Sequence, residues 1–379
     1  MTKKIFIIAG EMSGDTHGSG LMRALQEHHA PVQFIGFGGA QMRRIGGQGM
    51  EDWVERAGVL GLWEVLKVYG WFKKKMAQTR ELIARENTDG VVLIDYPGFN
   101  LRLAKALRKD RYTGRIIFYI SPQVWAWKRG RIKTMAKLLD LMICIFPFEK
   151  ELYEKSGLTT VFAGHPMVDR AQSHSQEWKR EPGLVGFFPG SRSHEVARLF
   201  PVMLQSARLI RERVPEARFA VSAANQTLAG EMREIMDRAR MPEARKWIEV
   251  SSAHNLMQRA EVGVVASGTA TLESACFGLP YVLVYKVNPL TYTVGKAVVK
   301  IKHLGIVNIL AGEQVVEELV QNKFDRNSVA ASVTELLLSK EKREALTTRL
   351  AMVVKTLGDG NAYRRAADAV AGCISSIKS

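Results

Sequence analysis

Short apolar runs alternate with longer amphipathic stretches along the whole chain. In the first half the runs are KKIFIIAG (3–10), VQFIGFGG (32–39), GVVLIDYPGFN (90–100), RIIFYI (115–120), LDLMICIF (139–146) and TTVFAGHP (159–166). Each is a short apolar run with β-branched or aromatic residues, and four of the six close on Gly, Pro or Asn, which predicts buried parallel strands. Leu21, Met22 and Leu25 mark a helix after the first run, and LRLAKALRKD marks one after Asn100, a natural cap. The second half repeats the alternation. LVGFF, FAVSAAN, WIEV, VGVVA and YVLVYK read as strands, while 227–240 and HNLMQRA read as helices. Val196, Leu199, Phe200, Met203, Ala207 and Ile210 form an i, i+3, i+4, i+7 core stripe on a helix that Ser193 would cap. HLGIVNILAG (303–312) reads as an irregular loop, and 327–338, 340–354 and 361–377 read as helices. The pattern predicts an α/β chain with a domain over 1–169, a polar linker over 170–183, a second domain over 184–355 and a terminal helix in 356–379.

Residues 58–86 read as one long helix or two abutting ones. Leu62, Trp63, Val65, Leu66, Val68, Tyr69, Trp71, Phe72 and Met76 spread over more than one stripe, with Lys67 and Lys73–Lys75 beside them. Two readings fit: an interfacial membrane element, or a core helix packed on both sides.

Candidate chemistry collects where predicted strands end. VGVVASGTATLESACFGLPYVLVYK (262–286) reads as strand, tight loop, helix and strand. Gly268 permits a tight turn, and Thr269, Ala270 and Thr271 open a helix whose first amides attract phosphate. Glu273 suits two sugar hydroxyls as a bidentate acceptor. A plain βαβ joint explains the same stretch equally well. Asp95 closes an apolar strand at its carboxyl end, where ligands bind in open parallel sheets, and is the candidate general base. Glu11, Ser13 and Asp15 follow the first strand in a loop that is not GxGxxG, and Ser13 and Asp15 read most simply as caps. Arg192 stands just before a helix N-terminus, where a cation makes sense if an anion binds there too. Trp125 and Trp127 are interleaved with Lys128, Arg129 and Arg131, a pattern suited to single-stranded nucleic acid, a phosphorylated sugar or a lipid headgroup.

Composition narrows the classes. With 379 residues, 46% of them hydrophobic, the chain can build two real cores. Cys144, Cys276 and Cys373 have no metal or disulfide spacing and fit a reducing cytosol. The run 138–148 holds Asp140 and Pro147, so no transmembrane helix is expected. A formal net charge of +16 attracts nucleic acid, anionic membrane or phosphorylated ligands.

AGEMSGD (9–15), LIDYPGFN (93–100), SPQVWAWKRGR (121–131), FPFEKELY (146–153), GHPMVD (164–169), PGSRSHEV (189–196), ASGTATLE (266–273) and VNILAG (307–312) stand in one order and spacing. In them the chain resembles the lipid-A-disaccharide synthases, from about residue 4 to about residue 325. The resemblance implies the GT-B fold, two Rossmann-like domains facing a cleft. It implies inverting transfer of 2,3-diacylglucosamine from UDP to the 6-hydroxyl of 2,3-diacylglucosamine 1-phosphate, giving a β-1,6 disaccharide and UDP. It implies no cofactor, no metal and no nucleic acid, and a cytoplasmic protein bound peripherally to the inner membrane. By the same resemblance Asp95, Arg192 and Asn308 are catalytic. Glu11, Ser13, Gly190, Ser191, Ser267, Gly268, Thr269, Glu273, Trp125 and Arg129 bind substrate. The chain departs from the family at Gly98, where a second acid is common, and at Val307, where proline is common. The terminal helix is expected to pack on the first domain or on a second copy in a homodimer. Another UDP-sugar transferase of the same fold would share the C-terminal grip without SPQVWAWKRGR, and a basic nucleic-acid-binding protein would leave Asp95 and Glu273 unexplained.

Overall fold

A computed structural model describes residues 2–29, 31–57, 64–124, 130–175, 179–288 and 302–375. The chain divides into two compact units, Met1–Pro166 with Leu357–Ser379, and Met167–Thr356. Each unit is built on one parallel sheet.

The first sheet contains β1 (Lys3–Ala9), β2 (Val32–Gly38), β3 (Met50–Asp52), β4 (Gly90–Ile94), β5 (Arg115–Tyr119), β6 (Leu141–Cys144) and β7 (Thr160–Phe162). Their order is β3-β2-β1-β4-β5-β6-β7. The second contains β8 (Glu181–Phe188), β9 (Arg218–Ala223), β10 (Ile248–Val250), β11 (Ala260–Ala266), β12 (Tyr281–Tyr285) and β13 (Glu318–Val320), in the order β10-β9-β8-β11-β12-β13. Central strands such as β4 are buried along their whole length. Helices cover both sheet faces, which is why these runs are apolar without alternation. The order reverses between β1 and β4, where Ala9 pairs with Ile94, and between β8 and β11, where Phe188 pairs with Val265. At such a switch the outgoing chains turn to opposite sides and leave a crevice at the carboxyl ends.

The helix Ser193–Arg213 buries Val196, Leu199, Phe200, Met203, Ala207 and Ile210 in the second core, the stripe its sequence predicts. In the first unit Asp15 does not cap its own helix, Met12–His28. It is buried inside that helix and accepts the amides of Gly39, Gln41 and Met42 at 2.8, 3.0 and 3.0 Å, so it caps the next helix, Ala40–Gly46. The last helix, Ala362–Ser375, lies in this unit against Met12–His28, with His17 Nδ1 3.2 Å from the Tyr363 hydroxyl.

Four further sequence expectations change. The linker 170–183 contains the end of a helix, Pro166–His174, and the start of β8, because Arg259 pairs with Glu181 at 2.7 Å and draws it into the sheet. Ser193 is the first helical residue and bonds Glu231 at 2.8 Å, while Arg192 holds the cap position. Asn100 does not cap, since the helix already begins at Pro97, whose fixed φ suits a first turn. Within 303–312 the chain forms a helix, Ile306–Ala311, closed by Gly312 in the left-handed conformation. Val307 takes its second position, where proline fits too, and is buried.

Of the 58–86 stretch, residues 58–63 lie outside the described residues, and a helix runs over Glu64–Glu86. From Trp71 onward the core reading holds in part. Trp71 and Phe72 are half-buried, with ring centroids 5.7 and 6.5 Å from Trp53, and Met76 packs on the same core. Lys75 is buried, 2.6 Å from Glu51 and 3.8 Å above the Phe37 ring, while Lys73 and Lys74 are exposed. Among the described residues no helix is long and apolar enough to cross a membrane.

Asp15→Ala strands three backbone donors at once, two of them in fully buried bonds. It is expected to lower stability by about 3 kcal/mol in chemical denaturation, with Asp15→Asn costing less. A loss within error of zero would show that the Ala40–Gly46 helix finds its cap elsewhere.

Candidate functional site

Candidate residues gather at both switch points. In the first unit β4 delivers Asp95 to the carboxyl edge, beside the start of the helix after β1, where Glu11 holds the cap position and Ser13, expected as a loop residue and cap, is the second helical residue. Asp95 and Tyr96 are both left-handed, at φ 42° and 47°, a conformation that costs about 1–2 kcal/mol per residue. Surrounding contacts hold the step. Asp95 N–H continues the sheet by donating to Tyr119 O at 3.0 Å. Fully buried Asn100 donates both amide hydrogens, to Ile94 O at 3.1 Å and to Asp95 O at 2.7 Å. The Tyr96 ring lies against Gly10, where a Cβ would come within 2.4 Å of it, and the Tyr96 hydroxyl donates to Ala57 O at 3.2 Å.

This turn sets the electrostatics. Burial, and then the charge of Glu11, push the Asp95 carboxyl up from 3.8 to about 6. The same two causes push the Tyr96 phenol up to about 12, so it stays neutral. Asp95 is therefore poised to exchange a proton near neutral pH. Gly98, which replaces the second acid, faces open space, and the second carboxylate at this edge is Glu11 instead. Glu11 and Ser13 are exposed at the start of Met12–His28.

In the second unit a cavity of about 640 Å³ opens at the β8/β11 switch. Gly190, Ser191, Arg192 and Glu195 line it from the loop after β8; Ser267, Gly268, Thr269, Ala270 and Glu273 line it after β11; residues 251–255 close a further side. Gly268 has φ 147°, which side chains rarely adopt, and it starts the helix Thr269–Cys276 with its first amides toward the cavity. Arg192 reaches out, with 71% of its side chain exposed, and contacts Glu195 at 3.2 Å. Glu195 also accepts the Ser191 amide at 3.1 Å, so an arriving anion meets the remaining Arg192 hydrogens and the amides at 269–270. Glu273 faces the cavity with 14% of its side chain exposed.

Asn308 does not join this group. It is fully buried, donates to Val316 O and Glu318 Oε1 at 2.8 Å, and accepts the amides of Val315 and Val316 at 2.8 Å. Its hydrogen-bonding capacity is spent on holding residues 315–318 against its own helix, which leaves nothing for a substrate. Trp125 and Arg129 lie outside the described residues.

Sequence reasoning missed three groups. Asn100, a cap by its sequence position, locks the Asp95 step. His254 and Arg170 approach Glu273 at 3.4 and 3.9 Å, and no motif marks either. The rule that strand carboxyl ends face the ligand, applied after β10, would have pointed to 251–255 and so to His254. Nothing comparable marks Arg170, which sits in the stretch read as linker.

The fold is shared with solved structures of low sequence identity. A UDP-GlcNAc 2-epimerase from Neisseria meningitidis bound to UDP-GlcNAc superimposes with a TM-score of 0.57 at 10% identity, covering 98% of each chain. A UDP-forming α,α-trehalose-phosphate synthase from Burkholderia xenovorans gives 0.56 at 12% identity, covering 100% of this chain and 99% of that one. Among sequences, the lipid-A-disaccharide synthases of Geobacter metallireducens and Geobacter sulfurreducens are 40% and 39% identical over 380 and 375 residues, each match covering 97% of this chain and 96% of the relative. The family model described as lipid-A-disaccharide synthetase matches residues 5–371. A match of that extent, with relatives this similar end to end, makes the chain a member of the lipid-A-disaccharide synthase family of glycosyltransferases.

Proposed function

We propose that the chain transfers 2,3-diacylglucosamine from UDP to the 6-hydroxyl of 2,3-diacylglucosamine 1-phosphate, with Asp95 as the base. One observation carries the assignment of the base: a carboxylate held at a switch point, with its pKa raised to about 6. As the acceptor oxygen attacks the anomeric carbon, its proton passes to Asp95. The bond from that carbon to the diphosphate oxygen breaks, and its electron pair leaves with UDP. A single displacement inverts the anomeric centre. It moves no electrons to or from a carrier, so the chemistry calls for no redox cofactor.

The second unit holds the donor. The Thr269–Cys276 N-terminus and Arg192 receive the diphosphate, and Arg192 stabilises charge that grows on the leaving group. Gly190, Ser191, Ser267 and Gly268 shape the loops around it, and Glu273 takes the ribose hydroxyls. Asn308 acts at one remove, by fixing residues 315–318. Acylated substrates reside in a membrane leaflet. The reading therefore puts the protein at the cytoplasmic surface of the inner membrane, drawn there by its +16 charge and by exposed Lys73 and Lys74.

With Asp95 as base, kcat/KM is expected to rise with pH to a plateau above about 6, while Asp95→Asn loses about 10³-fold in kcat and keeps its UDP affinity. Turnover retained by that variant would remove Asp95 from the mechanism. Stability should move the other way. The folded pKa lies above the unfolded value of 3.8, so ionising Asp95 costs stability as pH rises from about 4 to about 6. The shift amounts to about 3 kcal/mol at most, and Asp95→Asn should unfold at a higher temperature than the wild type at pH 8 but not at pH 3. Equal melting temperatures at pH 8 would mean that the carboxylate is well solvated. Glu273→Ala is expected to weaken UDP binding by about tenfold or more in calorimetry, and unchanged affinity would reject the ribose assignment.

A further inference from the structure

A carboxylate can grip two sugar hydroxyls only if it is aimed, and a helix does not by itself fix the outer torsions of a glutamate. At Glu273 the aiming groups come from elsewhere. His254 Nε2 lies 3.4 Å from Glu273 Oε1, and Arg170 Nη2 stands 3.9 Å from the same oxygen. His254 is itself wedged: its ring meets the edge of His174 at 4.7 Å between centroids and lies 5.5 Å from Phe277. Both polar contacts converge on Oε1, which turns the carboxylate plane and leaves Oε2 without a protein partner among the described residues. Each carboxylate oxygen offers two lone pairs, so Oε1 can hold His254 and one hydroxyl while Oε2 takes the other.

We infer that His254 is a positioning residue that makes the site select a ribonucleotide over a 2′-deoxyribonucleotide, acting through Glu273. The inference rests on Glu273 being the ribose ligand. Deletion of the imidazole frees the carboxylate to rotate, and the contribution of the 2′-hydroxyl falls while phosphate and base contacts stay. Glutamine keeps a donor of similar reach and preserves most of the preference. Arg170 lies beyond hydrogen-bond distance and adds charge, so it is the lesser partner.

The test measures UDP and 2′-deoxy-UDP affinity by calorimetry for the wild type, His254→Ala, His254→Gln, Glu273→Ala and the double variant His254→Ala/Glu273→Ala, with a thermal melt of each to verify folding. The wild type should favour UDP by about tenfold. His254→Ala should reduce that ratio to about twofold, His254→Gln should keep it above about fivefold, and the double variant should match Glu273→Ala alone. Full discrimination in His254→Ala overturns the inference, as does an equal loss of affinity for both nucleotides. A further fall in the ratio when His254→Ala is added to Glu273→Ala also overturns it, since His254 would then touch the sugar directly. A wild type that binds both nucleotides equally removes the reading of Glu273 itself, an outcome distinct from each of these.

Discussion

Two neighbouring parallel strands whose chains leave in opposite directions cannot both be covered by their own crossover helices, and the candidate site of each unit depends on that constraint. It arises at β1/β4 and again at β8/β11. At each, the strand ends leave a crevice lined by backbone that has just run out of ladder partners. Asp95 and Glu11 stand at the first, and the Gly190–Arg192 and Ser267–Thr269 loops at the second. Parallel pairing also buries the strands on both faces, so polar groups concentrate at the ends, where water and ligands reach them.

The two edges solve opposite electrostatic problems. At the first, a carboxylate loses much of its hydration, and burial with the Glu11 charge raises its pKa. Two consecutive left-handed residues bring Asp95 into that position, and Asn100, Tyr96 and the bond to Tyr119 O keep them there. The cost falls on fold stability and the gain on chemistry. At the second, the loops that carry Arg192 and the helix N-terminus at Thr269 are organised by carboxylates. Glu195 occupies donors of the Ser191–Arg192 loop, and Glu273 is held by His254. Carboxylates at this cavity thus order its loops, and among the described residues Glu273 keeps one oxygen, Oε2, without a protein partner.

The lysine-flanked helix shows how one element can carry two pressures. Trp71, Phe72 and Met76 add a half-buried layer to the first core, and Lys75 is drawn inward by Glu51 and the Phe37 ring. Lys73 and Lys74 on the same turn stay in solvent.

Sequence alone determined the alternation of strands and helices, the carboxyl-end position of Asp95 and the loops at 190–193 and 267–273, because burial on both strand faces and sharp turns at strand ends leave local signatures. Eight short motifs in register carried the family. Tertiary structure decided which groups touch. Asp15 reaches across to another helix, Asn100 locks the turn five residues before it, Asn308 spends its capacity on residues seven to ten positions away, and His254 meets Glu273 from a different helix. A capping asparagine, a buried locking asparagine and a ligand asparagine are the same residue in a sequence. Only the positions of distant backbone donors and acceptors separate them, and those positions are fixed by sheet order and packing, which no local pattern records.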